Sequence, residues 1–313
     1  PFLPARNHAR IIQAPQKKIG NMTEESKKRY QRIIQDLGQI PTMPTIAAKV
    51  MQIVNDPHSS AEDVAKFISR DVALTSKVLR LANSAFYGIP RTISSVNSAI
   101  VILGFNTIRS LVLSASVLKM FPAKPGLASF DRKAFWKHSF MVGIASRMVA
   151  QIYRRKKLVD METAFSAGLL HDIGKIILEQ FSNEDYLPVL KAAKEKAMPL
   201  FLAERSMLGM SHADVSGMLV DKWQMPNELK GPIVNHHSPL EDKASQDMAC
   251  IVHFANHLCH LKGSGCMENE TYAVLIAEAE GTLNLGIGQD ELLEELEKHI
   301  QEAEPFFSLI EAN

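Results

Sequence analysis

Cysteine is scarce in this chain. The three present, Cys250, Cys259 and Cys266, have spacings that match neither a CxxC zinc site nor an even disulfide framework, so reduced thiols are expected. Long apolar runs are missing too: none approaches the ~18–20 residues that a bilayer-spanning helix needs, and no membrane role is expected. The opening residues Pro1–Phe2–Leu3–Pro4–Ala5–Arg6 have no hydrophobic core of a secretory signal, and a cytoplasmic location is expected. Neither sign of charge is in excess. With 35 Lys and Arg against 34 Asp and Glu, the net charge of +1 argues against a general nucleic-acid binder, which carries a basic surplus. Strand-like alternation of apolar and polar residues is weak throughout, and no internal repeat of fixed period is visible.

What the sequence does have is helix after helix. Its 313 residues, 46% apolar and 22% charged, suit a soluble globular protein of two domains or one large one. Residues 1–22 carry Arg6, Arg10, Lys17 and Lys18 with no acidic residue, and read as a flexible basic leader. A helical block spans 23–122. Its helices are predicted over Glu24–Leu37, from Pro44 to Val54, from Ser59 or Ser60 onward, over Val72–Phe86, and from Ser94 to Ile102. Gly104 then ends that last helix, and Asn106 is expected to cap a further one over Thr107–Met120. Pro122–Ala123–Lys124–Pro125–Gly126 marks a linker. A second block spans 130–262: Asp131–Tyr153, Asp160–Phe181, 184–197, 200–208, a helix opened by the capping box Ser211–His212–Ala213–Asp214, Asn227–His237, and 244–262. Residues 263–313 form a helical extension from which no chemistry can be read. The expected fold is all-α, two packed helical bundles sharing an interface.

One segment of the second block breaks its own pattern. In Ala167–Gly168–Leu169–Leu170–His171–Asp172–Ile173–Gly174–Lys175–Ile176–Ile177–Leu178, a charged pair interrupts an apolar run. Burying an imidazole beside a carboxylate is costly without compensation. A divalent ion compensates both, since neutral imidazole and carboxylate are good ligands. The simpler alternative pairs Asp172 with Lys175, three residues on, and makes His171 a hydrogen-bonded core histidine. The other histidines weigh on the choice: His138, His212 and His236–His237 lie on three further predicted helices, and histidines converging from several helices build metal centres in bundles.

Several motifs of the first block resemble the HDOD family. They are Pro41–Thr42–Met43–Pro44, Val54–Asn55–Asp56–Pro57, Ile68–Ser69–Arg70–Asp71, Leu79–Arg80–Leu81–Ala82–Asn83–Ser84–Ala85–Phe86–Tyr87 and Ala99–Ile100–Val101–Ile102–Leu103–Gly104–Phe105. The match runs in order from about residue 40 to 237. It implies an all-helical bacterial signalling module related to the HD phosphohydrolase superfamily, many of whose members lack catalytic residues. The order His138, His171–Asp172, His212, His236–His237 resembles that superfamily's ligand order, as does the spacing of Glu204, Gly209–Met210–Ser211–His212, Trp223 and Pro226.

Two departures temper that resemblance. Where the superfamily has a final aspartate this chain has Asn256, a weak uncharged ligand, with His253 one turn earlier as a stand-in. His257 and His260 share the same stripe. The Gly-Tyr-Pro that follows the His-His pair in cyclic-dinucleotide phosphodiesterases is replaced by Ser238–Pro239–Leu240. The resemblance implies that one ion would use Asp172, His212, His236 and His237. A weaker second would use His138, His171 and Asp172 with Asn256 or His253. Iron, manganese, zinc and cobalt all suit such ligands. Two functions follow. One is a signalling protein that binds a protein partner, its metal centre structural or vestigial. The other is a metal-dependent phosphohydrolase acting on a nucleotide or another phosphate-containing small molecule, with Asp172 and Lys175 at the chemistry.

Overall fold

The computed structural model describes residues 24–54, 58–122, 130–153, 159–266, 271 and 275–311. The basic leader, the Asn55–Asp56–Pro57 stop and most of the 122–126 linker lie outside the described residues.

Helices make up most of the described residues, and no strand occurs among them. α1 (Glu24–Leu37) packs on the second bundle, and the first comprises α2 (Thr45–Val54), α3 (Ala61–Ile68), α4 (Val72–Ala82), α5 (Val96–Leu103) and α6 (Phe105–Met120). The second comprises α7 (Arg132–Tyr153), α8 (Met161–Leu170), α9 (Ile173–Phe181), α10 (Asn183–Glu195), α11 (Leu200–Leu208), α12 (His212–Lys222), α13 (Asn227–Val234) and α14 (Gln246–Leu261). Three more helices follow: α15 (Ala277–Leu283), α16 (Gln289–Glu302) and α17 (Glu304–Glu311).

Local chemistry starts five of these helices within a residue or so of where the sequence puts them. Ser60 and Asp63 form a capping box at α3, and Ser211 and Asp214 form another at α12. The side chains of Asp71, Ser95 and Asp160 accept the backbone N–H of Leu74, Ser98 and Thr163 at 2.9, 3.1 and 2.6 Å. Each cap satisfies an N–H that the helix itself leaves unpaired.

Four predicted elements change. α4 stops at Ala82 rather than Phe86 because the Asn83 side chain takes over. Its Nδ2 donates to Leu79 O and Ile93 O, and its Oδ1 accepts Ile93 N–H, so Phe86 falls in a separate 3₁₀ turn. Asn106 caps nothing: Gly104, at φ +85°, makes the break, α6 starts at Phe105, and Asn106 donates to Asp160 across the bundles. The continuous helix predicted over Asp160–Phe181 is split at His171–Asp172 into α8 and α9. α13 ends at Val234, leaving His236–His237 in a turn.

The apolar core runs without interruption through both bundles. Ser110 on α6 bonds Glu162 O and Ser166 Oγ of α8, all buried. Arg32 on α1 makes a two-point ion pair with Asp185 on α10 at 2.9 and 2.6 Å. Trp223 Nε1–H reaches Pro41 O at 3.0 Å and Trp136 Nε1–H reaches Phe121 O at 2.8 Å. α17 closes the seam by placing Phe306 among Phe86, Phe140 and Phe165. The shared interface expected from the short linker is present.

Candidate metal centre

The break between α8 and α9 is what brings the site together. Asp172 leaves helical geometry there (φ −102°, ψ 5°), and α9 then starts hard against the N-terminus of α12. Gly174 permits that approach: a Cβ on it would sit 2.0 Å from His212 O. Ser216 locks the junction, accepting Gly174 N–H at 2.8 Å and donating to His212 O at 2.9 Å. An unbroken helix would carry Asp172 past His212.

Asp172 lies at the centre, 1% exposed. Its Oδ1 is 3.0 Å from His212 Nε2 and 3.7 Å from His236 Nε2. Its Oδ2 is 2.8 Å from Lys175 Nζ, 3.3 Å from His171 Nε2 and 3.8 Å from His138 Nε2. Two ligand groups therefore share one carboxylate: Asp172 with His212, His236 and His237, and Asp172 with His138 and His171. The Asp172–Lys175 pair, offered above as the alternative to a metal, coexists with the cluster.

The outer nitrogens orient the rings. Nδ1–H of His171 donates to Gly168 O and that of His236 to Ile233 O, both at 2.7 Å. His212 Nδ1–H donates to Glu204 Oε2 at 2.6 Å. With the proton on Nδ1, the Nε2 lone pair faces the cluster, as a ligating histidine requires. His237 lies flat on Phe201, ring centroids 4.2 Å apart, with its Nε2 2.9 Å from that of His212.

The residues fit a divalent ion on an independent ground. Nε2 of His138, His171 and His236 are buried with no hydrogen-bond partner, and both oxygens of Asp172, buried beside them, meet only the ion-pair contacts with Lys175 and the imidazoles. Buried polar atoms are normally satisfied, and leaving three imidazole nitrogens unsatisfied around one carboxylate is costly. One or two cations bound by nitrogen and oxygen would satisfy them all.

Charge in the ion-free cluster is arranged accordingly. Burial raises the Asp172 carboxyl, but His171, Lys175 and His212 together outweigh it and hold the group well below the usual carboxylate range. Burial, reinforced by neighbouring imidazoles, holds His138, His236 and His237 neutral, each well below the ordinary imidazole value. His212 goes the other way: burial lowers it, yet Glu204 and Asp172 overcome that and push it up to about 9.

His253 does not act as the stand-in ligand. Its Nδ1–H donates to His236 O at 2.8 Å and its Nε2 accepts Ile276 N–H at 3.1 Å, so both nitrogens are spent holding the backbone beside the site. Asn256 lines a small cleft with Lys175, Phe201, His212, His237 and His257, and its Oδ1 is buried without a partner. The cleft has a volume of about 30 Å³. Sequence reasoning gave no role to Ser216 or Ser264 and used Glu204 only as a spacing mark. Lone hydroxyls and acids carry no periodic signal, and only the eight-residue separation of Glu204 from His212, about two helical turns, hinted at proximity.

The family model for the HDOD domain matches residues 40–239. Among solved structures, an HDOD domain protein from Geobacter sulfurreducens is 24% identical with a TM-score of 0.72, covering 90% of this chain and 98% of that one. A candidate phosphohydrolase from Shewanella amazonensis SB2B is 24% identical with a TM-score of 0.70, covering 89% and 98%. An uncharacterized protein of Treponema pallidum (strain Nichols) is 22% identical over 221 residues, 70% of this chain. The chain spans 42% of that relative's length. At these identities the structural likeness establishes the fold. His138, His171, Asp172, Lys175, His212, His236 and His237 all fall inside the matched span; Asn256 and Ser264 lie beyond it.

Proposed function

The chain belongs to the HDOD domain family, and from that premise we propose that it is a bacterial signal-transduction or regulatory protein. On this reading it acts by binding a protein partner and carries a divalent-metal centre in its HD-like half. Asp172, His212, His236 and His237 would hold one ion; His138, His171 and Asp172 would hold a weaker second. When bound, such an ion neutralises Asp172 and occupies the unpaired Nε2 atoms, and it can polarise a water or a phosphoryl oxygen. The chain's own residues supply the rest. Glu204, Gly168 O and Ile233 O orient the rings, and Lys175 balances the carboxylate from within.

The size of the cleft carries the choice of function. About 30 Å³ is room for a water molecule or two. The Lys175 ammonium, which a phosphohydrolase would aim at substrate, lies against Asp172 instead. Asn256, which lines the cleft with His212 and His237, brings no charge to it. The sequence after His237 also lacks Gly-Tyr-Pro.

The second reading, a metal-dependent phosphohydrolase, is favoured by one observation: two ligand groups sharing a carboxylate, the arrangement that two-metal hydrolysis uses. Elemental analysis of the purified protein beside a phosphate-ester hydrolysis screen decides between them. Bound metal without turnover is the expected result. Metal with robust turnover establishes the second reading, and protein that neither contains nor takes up metal removes the centre from both.

A further inference from the structure

The histidines of the cluster are not all held alike. The Nδ1 partners of His171 and His236 are backbone carbonyls, and that of His212 is a carboxylate. These groups accept, so each Nδ1 keeps its proton and each Nε2 can turn a lone pair to an ion. His138 differs. Its Nδ1 lies 3.2 Å from Ser264 Oγ, and a hydroxyl can either accept or donate. If the hydroxyl accepts, His138 Nε2 is free to ligate. If it donates, Nε2 carries the proton toward Asp172 Oδ2, 3.8 Å away, and cannot ligate.

Ser264 reaches His138 because of how α14 ends. Gly263, at φ +74°, donates to His260 O at 2.8 Å, and Ser264 N–H donates to Cys259 O at 3.0 Å. That pair of bonds is a Schellman turn, which glycine's freedom at positive φ allows. His260 reinforces it: its Nδ1–H donates to Ser264 O at 2.8 Å while its ring stacks on His138, centroids 4.8 Å apart. One turn beyond the family-matched residues thus delivers both a hydroxyl and a ring to a single ligand.

We propose that Ser264 is a positioning residue for His138: its hydroxyl accepts a hydrogen bond from Nδ1–H when an ion occupies the His138–His171–Asp172 group, and so sets that group's occupancy separately from the other. The inference rests on the metal reading above. It makes the end of α14 the point at which this chain's own C-terminal region governs the weaker ion.

The test is nitrogen-15 NMR of the ring-labelled full chain, ion-free and titrated with zinc, in wild type, Ser264→Ala and Ser264→Thr. On loading, wild-type His138 should show a protonated Nδ1 and an ion-bound Nε2. Ser264→Ala should weaken zinc at the His138 group about tenfold, as loss of an outer hydrogen bond to a ligand does. Zinc at the His212 group should be unaffected, and Ser264→Thr, which keeps the hydroxyl, should restore wild-type behaviour. Unchanged His138 resonances and unchanged affinity in Ser264→Ala overturn the inference. Should zinc bind neither group, the metal reading fails by itself. The ion-free spectra then decide, because Ser264→Ala must still alter the balance of His138 tautomers, and an unaltered balance overturns the role of Ser264.

Discussion

Glu204 accepts two hydrogen bonds from one residue: His212 Nδ1–H at 2.6 Å and the His212 backbone N–H at 2.7 Å, both through Oε2. The other oxygen, Oε1, accepts Tyr186 Oη–H at 2.8 Å. A fully buried carboxylate is thereby satisfied on each side, and it fixes the position and ring orientation of His212 on a neighbouring helix. Glu204→Gln keeps the shape and removes the charge. In ion-free protein the His212 imidazole should then fall from about 9, because Asp172 alone is left to oppose burial. NMR titration of the variant reads this directly. A value still near 9 would assign the effect to Asp172 alone.

How much of this was legible beforehand varies with the kind of signal. Caps are local, so Ser60, Ser95 and the Ser211–Asp214 box could be placed to within a residue or so. The apolar faces of the helices were equally plain. The split at His171–Asp172 was hidden because Ala167–Leu178 keeps a helical apolar pattern on both sides of the break. The cause is the close approach of Gly174 to His212 O, a contact between residues 38 positions apart. The candidate ligands could be written down from their order along the chain, but the ring orientations could not. They depend on Gly168 O, Ile233 O and the Glu204 carboxylate, groups whose direction emerges only from the packed helices.

Removing Asp172 should destabilise the protein well beyond an ordinary surface change. Asp172→Ala takes away the carboxylate that the buried Lys175 ammonium, 4% exposed, lies against at 2.8 Å and leaves His212 with Glu204 for its counter-charge. Breaking one side of a buried pair costs about 3–5 kcal/mol. Lys175→Met in the same chain should recover part of that loss, since it removes the buried charge while filling the space. Urea unfolding of the two single variants and the double variant measures the coupling. Strictly additive losses would show that Lys175 is not held by Asp172.

Stability of the ion-free protein should pass through a maximum with pH. Burial keeps His138, His236 and His237 neutral in the fold, whereas in the unfolded chain they titrate near 6.5. Below about pH 6.5 the unfolded chain takes up protons that the fold refuses. Stability is then lost at up to ~1.4 kcal/mol per pH unit for each imidazole. His212 contributes with the opposite sign: its stabilisation is complete below about 6.5 and disappears as pH rises through about 9. The depressed Asp172 carboxyl adds a further loss only in stronger acid, as pH falls through its own value. Melting temperatures of chelated protein across pH 4–10 should fall on both sides of neutrality. A continued rise to pH 10 would contradict a charged His212.

Divalent metal should stabilise the fold by mass action. A ligand that binds only the folded state adds RT ln(1 + [L]/Kd), about 2.7 kcal/mol at a hundredfold excess over Kd. Thermal unfolding with manganese, zinc or iron(II), and again after chelation, should show a reversible rise and fall in Tm. His171→Ala should remove the part of the rise that the weaker ion supplies and leave the rest. A native protein whose Tm neither metal nor chelator moves would leave His171 as a hydrogen-bonded core residue and nothing more.

Asn256→Asp separates the two functions. The amide Oδ1 is buried without a hydrogen-bond partner and lines the cleft beside Lys175, His212 and His237. A carboxylate of nearly the same shape would bring a negative charge to that wall. An anionic ligand retains a divalent ion far better than a neutral amide does, so metal content should rise from about one per chain toward two. The substitution costs something without metal, because a buried carboxylate lacking a partner is unfavourable. The ion-free variant should therefore melt below wild type and recover on metal addition, a pattern that a surface change would not produce. Turnover is the second readout. On the regulatory reading the wild type hydrolyses phosphate esters slowly or not at all, and the variant gains activity only if the cleft widens enough to admit substrate. Robust wild-type turnover that Asn256→Asp leaves unimproved would mean that the site is complete without a carboxylate at 256. His253, with both nitrogens engaged by backbone, cannot be the group that completes it. A water molecule would then have to be, and the enzymatic reading would replace the regulatory one.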